Sequence, residues 1–330
     1  MLSVNHKNIE IFFDYLDEAT EIIYKNSKKD YLDSLLLAID YILNDESLTN
    51  MLATDILKEV KSNYELINNI TFNKEEIRKA LQLSLLKAFK HLNISFNEIT
   101  PDTIGILFSY FIDILFKDKN NISVLDANVG CGNLLFSMLN NTKVQCEKLF
   151  GIDYNYKYLN ISLHIANLLE YEVEFFNQNN LSKLLVPPVD LIISDLPVGF
   201  EDNIESLDLQ TAKNNISYKP YLMIENLMKY GKEGSYFIYL IPNEFFNESH
   251  NELIKEIILS ETHIQAIIQL PLDMFKDERY QKSIIILQKR GKNIKVNKEI
   301  LMLSFPSFSN KNKVTKAIDK INQWFKKNKQ

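Results

Sequence analysis

The sequence predicts an α/β protein, a mainly parallel sheet of seven strands preceded by an all-helical amino-terminal domain. Three observations predict it. The first hundred residues carry apolar side chains at helical spacing with almost no glycine or proline. From Ile122 onward, short β-branched and aliphatic runs alternate with helix-like stretches, the pattern of strands buried on both faces. Successive strands then end in carboxylate or amide side chains: Asp126, Asp153, Asn177 to Asn179, and Asp195. Two domains are expected from this change of pattern, residues 1–98 helical and residues 99–330 α/β.

In the helical part, Leu32, Leu35, Leu36, Ile39, Ile42 and Leu43 follow the i, i+3, i+4, i+7 spacing of an amphipathic helix. Ile77, Leu81, Leu85 and Phe89 repeat it, with Asn73 and Glu76 as a capping-box start. Lysines interleave with acids here, as on solvated helix faces, and a cap or docking role is expected. Thr100-Pro101-Asp102 opens the next helix, with a hydroxyl for the cap, proline for the first turn and an acid beside the positive helix end.

Strands are expected at Ile122–Leu125, Lys148–Ile152, Val173–Phe176, Val189–Ser194, Ser235–Ile241, His263–Leu270 and Ser283–Lys289. Helices are expected from Asn133 to Leu139, Tyr156 to Leu169, Tyr221 to Tyr230, between the fifth and sixth strands, and from Lys311 to Lys327. Parallel sheets bind ligands beyond the carboxyl ends of their strands, which is where the polar residues collect.

The stretch Val124-Leu-Asp-Ala-Asn-Val-Gly-Cys-Gly-Asn-Leu-Leu135 is the centre of that arrangement. Gly130 and Gly132 let backbone approach a ligand closely, although a plain tight connection between strand and helix uses the same residues. A dinucleotide fingerprint wants a third glycine where Leu135 stands, so a nicotinamide dehydrogenase is disfavoured. An acidic strand end with two glycines suits S-adenosylmethionine better, because a carboxylate repels a pyrophosphate but orients water and the amino group of a methionine moiety. Asp153, ending the next strand, would accept a ribose diol or cap the following helix. Asn179 is placed to meet the exocyclic amine of an adenine, or serves as a turn residue. Asp195-Leu196-Pro197 would be the reaction centre. A side-chain oxygen and a backbone carbonyl that accept both N–H bonds of an aromatic amine make its nitrogen more nucleophilic, and a nearby aromatic ring can stack on the base.

Composition sets limits. A hydrophobic share of 46% supplies a sizeable core. The net charge is −6, and the loop Glu201, Asp202, Glu205, Asp208 is acidic, so bulk charge does not support tight autonomous DNA binding. No apolar run approaches the roughly 18 residues of a membrane span, and no signal peptide is read at the amino terminus, so a cytoplasmic protein is expected. Two cysteines, Cys131 and Cys146, and five scattered histidines suggest neither a disulfide framework nor a metal site.

Four motifs in order carry a resemblance: Thr100-Pro-Asp-Thr-Ile-Gly105, Leu125 to Leu135, Gly151-Ile-Asp153, and Asp190-Leu-Ile-Ile-Ser-Asp-Leu-Pro-Val-Gly-Phe200. They resemble the motifs of class I, N6-adenine-specific DNA methyltransferases. The nearest likeness is to the stand-alone YtxK-like proteins, which are similar to the modification subunits of type I restriction systems. Leu270 to Phe275 and Ser283 to Lys289 extend the likeness, which covers residues 98–290 well and the helical part loosely. The resemblance implies a Rossmann-like methyltransferase sheet, S-adenosylmethionine as cofactor, DNA as a partner, and a homo-oligomer or partner subunit. Thr100 and Pro101 would line the methionine end, Asp126, Asn128, Gly130 and Gly132 would form the main loop, Asp153 would hold the ribose, and Asn179 would approach the adenine. Asp195, Leu196, Pro197 and Phe200 would carry the chemistry. The family's reaction centre reads Asn/Asp-Pro-Pro followed by an aromatic residue, whereas this chain has Asp195-Leu-Pro-Val198, so Phe200 is expected to supply the ring. The alternative expectation is a cofactor-binding regulator or partner protein without DNA methylation activity.

Overall fold

The computed structural model describes residues 4–275, 277, 280–292, 294 and 299–328, with the side chain of Asn97 left aside. The elements run α1 (His6–Asn26), α2 (Tyr31–Leu43), α3 (Thr54–Asn68), α4 (Lys74–His91), α5 (Asp102–Leu115), β1 (Asn121–Asp126), α6 (Asn133–Asn141), β2 (Gln145–Asp153), α7 (Tyr156–Leu168), β3 (Val173–Asn177), β4 (Val189–Asp195), α8 (Gln210–Lys213), α9 (Lys219–Met228), β5 (Gly231–Pro242), α10 (Asn251–Glu261), β6 (Thr262–Gln269), β7 (Lys282–Lys289), β8 (Leu301–Ser304) and α11 (Lys311–Asn328). Among the described residues no helix is long and apolar enough to cross a membrane.

The chain forms two compact units, each built from discontinuous segments: residues 4–110, 129–143 and 155–175 in the first, and 111–128, 144–154 and 176–328 in the second. The first unit is helical. Its amphipathic helices bury Phe12, Leu16 and Ile23 of α1, Leu35 and Ile39 of α2, and Leu81, Leu85 and Phe89 of α4. The Asn73–Glu76 capping box forms, and Glu76 also accepts from Asn5 N at 2.8 Å and from Asn8 Nδ2 at 3.0 Å. One carboxylate thereby fixes the starts of both α1 and α4.

A sheet of eight strands runs in the order β3-β2-β1-β4-β5-β7-β6-β8, seven of them lying wholly in the second unit. β1 pairs in parallel with β2 and β4, β4 with β5, and β6 with β8, while β7 runs antiparallel between β5 and β6. The expected count of seven is corrected to eight. β8 escapes a reading by pattern because it has only four residues, of which Leu301 alone is buried, too few to display a two-residue alternation. One face of the sheet carries a core of Leu125, Phe150, Ile152, Ile192, Phe237, Tyr239, Ile285 and Leu287, packed with Tyr221, Leu222 and Ile224 of α9 and Ile254 and Ile258 of α10.

Candidate active site

That core fixes where the polar strand ends point. Side chains alternate between faces along a strand. Leu125, Ile152 and Ile192 belong to the core face, so Asp126, Asp153 and Asp195 all stand on the opposite one. Lys282, an odd number of positions from Ile285 and Leu287, shares that face. Three carboxylates and one ammonium thus gather at the carboxyl ends of β1, β2 and β4 and the start of the antiparallel β7.

Asp126 is fully buried. Its Oδ1 accepts from Asn128 N at 3.2 Å, and its Oδ2 has no hydrogen-bond partner among the described residues. Burial pushes its pKa up to about 8. The Asn128 N–H opposes the shift, and the charges of Asp153 and Asp195 add to it. A buried acceptor without a partner is costly, of order 1–3 kcal/mol.

Amides brace the loop after Asp126. Ala127 N donates to Ile193 O at 3.0 Å. Asn128 reaches the Asp195 carbonyl at 3.4 Å, linking the ends of β1 and β4. Asn180, buried, donates to Ala127 O at 3.2 Å and to Asn128 Oδ1 at 3.3 Å, and Asn226 of α9 holds Asn180 O at 2.8 Å. Sequence reasoning picked Asn179 and passed over Asn180. The structure gives them opposite duties: Asn180 braces the loop, while Asn179 is exposed and its Oδ1 accepts Leu181 N at 2.9 Å.

Asp153 is 3% exposed. The capping of the following helix falls to Asn155, whose side chain accepts from Lys157 N at 3.0 Å and Tyr158 N at 3.4 Å. Asn177 donates to the carbonyls of Asp153 at 3.0 Å and Tyr154 at 2.9 Å, fixing the backbone that presents the carboxylate.

In the first unit, the rest of the glycine loop shows two glycines with different reasons. Gly132 has φ +81°, and a Cβ there would collide with the Phe136 ring and approach Ser162 Oγ. Gly130 has φ +52° with open space around the position a Cβ would take, so a ligand can come close to its backbone. Thr100 accepts from Asn133 Nδ2, the first residue of α6. Gly105 lets α5 meet α6, since a Cβ there would stand 2.5 Å from Ser137 Cβ.

At the fourth strand end, Asp195 forms an ion pair with Lys282. Both side chains are mostly buried, 18% and 19% exposed. Asn243 clamps the residues on either side of that lysine: its Nδ2 donates to Gln281 Oε1 at 3.0 Å and its Oδ1 accepts from Ser283 Oγ at 2.6 Å. Leu196 is buried, its N–H held by Leu240 O at 3.1 Å. Beyond Pro197, the turn is pinned by Glu201 N to Ser217 O at 2.7 Å and Lys219 N to Gly199 O at 2.9 Å. The Phe200 ring stays 61% exposed, tilted against Tyr218 with centroids 5.5 Å apart. In the acidic loop, Glu201 pairs with Lys219 at 3.7 Å and Asp208 with Lys213 at 2.6 Å, which offsets part of its charge. Among the described residues no cluster of side chains suits a metal ion.

Comparison with known proteins gives the family. The profile of the N-6 DNA methylase family matches residues 98–330, and that of the YtxK N-terminal helical domain matches residues 10–89. The chain belongs to the N-6 DNA methylase family. It is therefore a methyltransferase by family, with a YtxK-like helical region ahead of the methylase part. The YtxK protein of Bacillus subtilis (strain 168) is 35% identical over 321 residues, covering 96% of this chain and 97% of the relative. The methylase subunit of the type I restriction enzyme MpnII of Mycoplasma pneumoniae is 22% identical, covering 84% of this chain but 56% of the relative. Among solved structures, a candidate class I S-adenosylmethionine-dependent methyltransferase of Listeria monocytogenes is 30% identical with a TM-score of 0.84, covering 97% of this chain and all (100%) of that one.

Proposed function

We propose that this methyltransferase moves a methyl group from S-adenosylmethionine to an exocyclic amino group, that of adenine in DNA, held at Asp195-Leu196-Pro197. One observation carries the reading: Asp126, Asp153 and Asp195 share a sheet face at adjoining strand ends, and Asp126 keeps a buried oxygen without a partner among the described residues. The residues fit the cofactor. Its ammonium is a donor for Asp126 Oδ2, its ribose diol a donor pair for Asp153, and the open Gly130 backbone leaves room for it. When bound, it supplies a sulfonium methyl as electrophile.

The chain's own residues do the rest. Asp126 and Asn128, with Gly130 and Gly132, orient the methionine portion, and Thr100 and Pro101 line its far end. Asp153 accepts the ribose hydroxyls. Asn179, whose Oδ1 is engaged with Leu181, offers its amide N–H groups to an adenine ring nitrogen. Asp195 Oδ and the Leu196 carbonyl accept the two N–H bonds of the target amine and draw its lone pair towards the methyl. Pro197 keeps the turn rigid, and the exposed Phe200 ring offers a stacking surface in place of the aromatic residue that the family carries two positions earlier. Lys282 holds Asp195 in place. The reading puts the protein in the cytoplasm, acting on DNA alone or as a subunit of a larger assembly, as the Mycoplasma relative is by its name.

The test is label transfer from methyl-labelled S-adenosylmethionine to the organism's own DNA, with unmodified synthetic DNA beside it. Transfer to adenine by the wild type and its loss in Asp195→Ala support the reading. Cofactor binding with no label on any nucleic acid sinks the DNA part of it.

A further inference from the structure

Arg78 lies on α4, in the part matched by the helical-domain profile, and its side chain is 2% exposed. All five of its N–H donors are engaged. Nε and Nη2 donate to the two Glu75 oxygens, each at 2.8 Å. Nη1 and Nη2 donate to Asp102 Oδ1 at 3.0 Å and Oδ2 at 2.9 Å, and Nη1 also reaches Asn133 Oδ1 at 2.8 Å. Asn133 in turn donates to the Thr100 carbonyl and, at 3.3 Å, to Asp102 Oδ1. Glu75 accepts a further bond from Asn140 Nδ2 at 2.9 Å, near the other end of α6. Burial works against the guanidinium charge, but the hydrogen bonds and charges of Glu75 and Asp102 outweigh it and hold the pKa above the ordinary arginine value.

We propose that Arg78 is a positioning residue for the cofactor site. It sets the Thr100–Asp102 turn against the start of α6, immediately after Gly132, so cofactor affinity depends on a side chain of the helical region. The inference rests on the reading that Thr100, Pro101, Gly130 and Gly132 meet S-adenosylmethionine. Three arguments favour positioning over stability alone. A buried ion network is a weak source of net stability, and its attested value is specificity of arrangement. The planar fork fixes two carboxylates and an amide at set angles, which a lysine cannot reproduce. Gly105 already lets α5 pack tightly against Ser137 of α6, so what the arginine adds is the placement of their first residues, where the two motifs lie.

The experiment measures S-adenosylmethionine affinity by calorimetry at 15 °C on the full chain, with apo melting temperatures alongside. Wild type is compared with Arg78→Lys, with Asn133→Ala, and with Asn63→Ala. Asn63 is buried in the helical core and donates to Tyr15 O at 3.2 Å, away from both motifs. Arg78→Lys is expected to weaken binding roughly tenfold or more, the scale on which groups that orient ligating residues tune a site. Asn133→Ala is expected to weaken it several-fold, while Asn63→Ala lowers the melting temperature and leaves affinity unchanged. If Arg78→Lys does not fold, Asn133→Ala decides. Folded variants that bind as tightly as the wild type overturn this inference alone, whereas a wild type that does not bind overturns the cofactor reading and this inference with it.

Discussion

Asp126 and Asp195 end neighbouring parallel strands and face the same side of the sheet, yet the protein treats them in opposite ways. Asp126 is fully buried, with one oxygen unpartnered among the described residues and its pKa pushed up to about 8, first by burial. Asp195 is partly open and comes with its own cation, Lys282, held by a clamp on both flanking residues. On the proposed reading, the first carboxylate is completed by a ligand and the second is ready before one arrives. The difference matches the division proposed here: a cofactor carries an ammonium for Asp126, while a neutral aromatic amine brings Asp195 no charge, so the chain must supply it.

The largest effect expected from breaking this pair is on transfer. Asp195→Ala should lower the methylation rate by roughly 10²–10³-fold, the cost of removing one aimed polar group, with cofactor affinity within about twofold of wild type. An equal loss of both would mean that the two carboxylates are not functionally separate.

Asp126→Asn should weaken S-adenosylmethionine binding by roughly 10- to 100-fold, the loss of a charge-assisted hydrogen bond. It should also change the response to pH. A carboxyl whose native pKa lies above its unfolded value binds more protons when folded, so its stabilising contribution is complete below about pH 4 and is lost as pH rises through about 8. The ligand-free wild type should therefore lose stability over that window, by up to about 1.4 kcal/mol per pH unit from this group, and melting curves of Asp126→Asn should lack that slope. Cofactor binding at pH 7 should release about one proton, seen as a calorimetric enthalpy that varies with the buffer and vanishing in the variant.

Lys282→Met tests whether the built-in cation assists or obstructs. If Lys282 holds Asp195 for the target amine, kcat should fall about tenfold, of the order seen when a charge-assisted contact is removed, with cofactor affinity unchanged. Faster transfer would show that the ammonium occupies the oxygen a substrate needs. The smallest effect belongs to Asn179→Ala, about threefold or less on cofactor affinity, because its Oδ1 serves Leu181 and only its N–H groups remain for a base. A loss as large as that of Asp126→Asn would make Asn179 the main adenine contact.

Much of this was legible in the sequence, and the reasons for the rest are physical. Parallel strands advertise themselves as apolar runs, and residues closing them must lie at one edge of the sheet, so Asp126, Asp153 and Asp195 could be placed together by counting. Lys282 could not. It precedes an apolar run, where a solvated charge is ordinary, and its meeting with Asp195 depends on β7 entering the sheet antiparallel, which the run itself does not encode. Asn180 was hidden by Asn179, since in a turn no two-residue period says which of two adjacent amides faces inward. Arg78 did leave a trace: it is one of three arginines among 37 basic residues, in a helical region that otherwise uses lysine.

The antiparallel β7 also has a consequence in time. Lys282 and Asp195 are 87 positions apart, and between them lie β5, β6 and two crossings of the sheet. During synthesis the strands bearing Asp126, Asp153 and Asp195 emerge and can pair well before the lysine exists. Contacts of such long sequence separation form late and slowly. The cation therefore joins the sheet after the three carboxylates are in place, and the proposed reaction centre is complete only once β7 has been delivered.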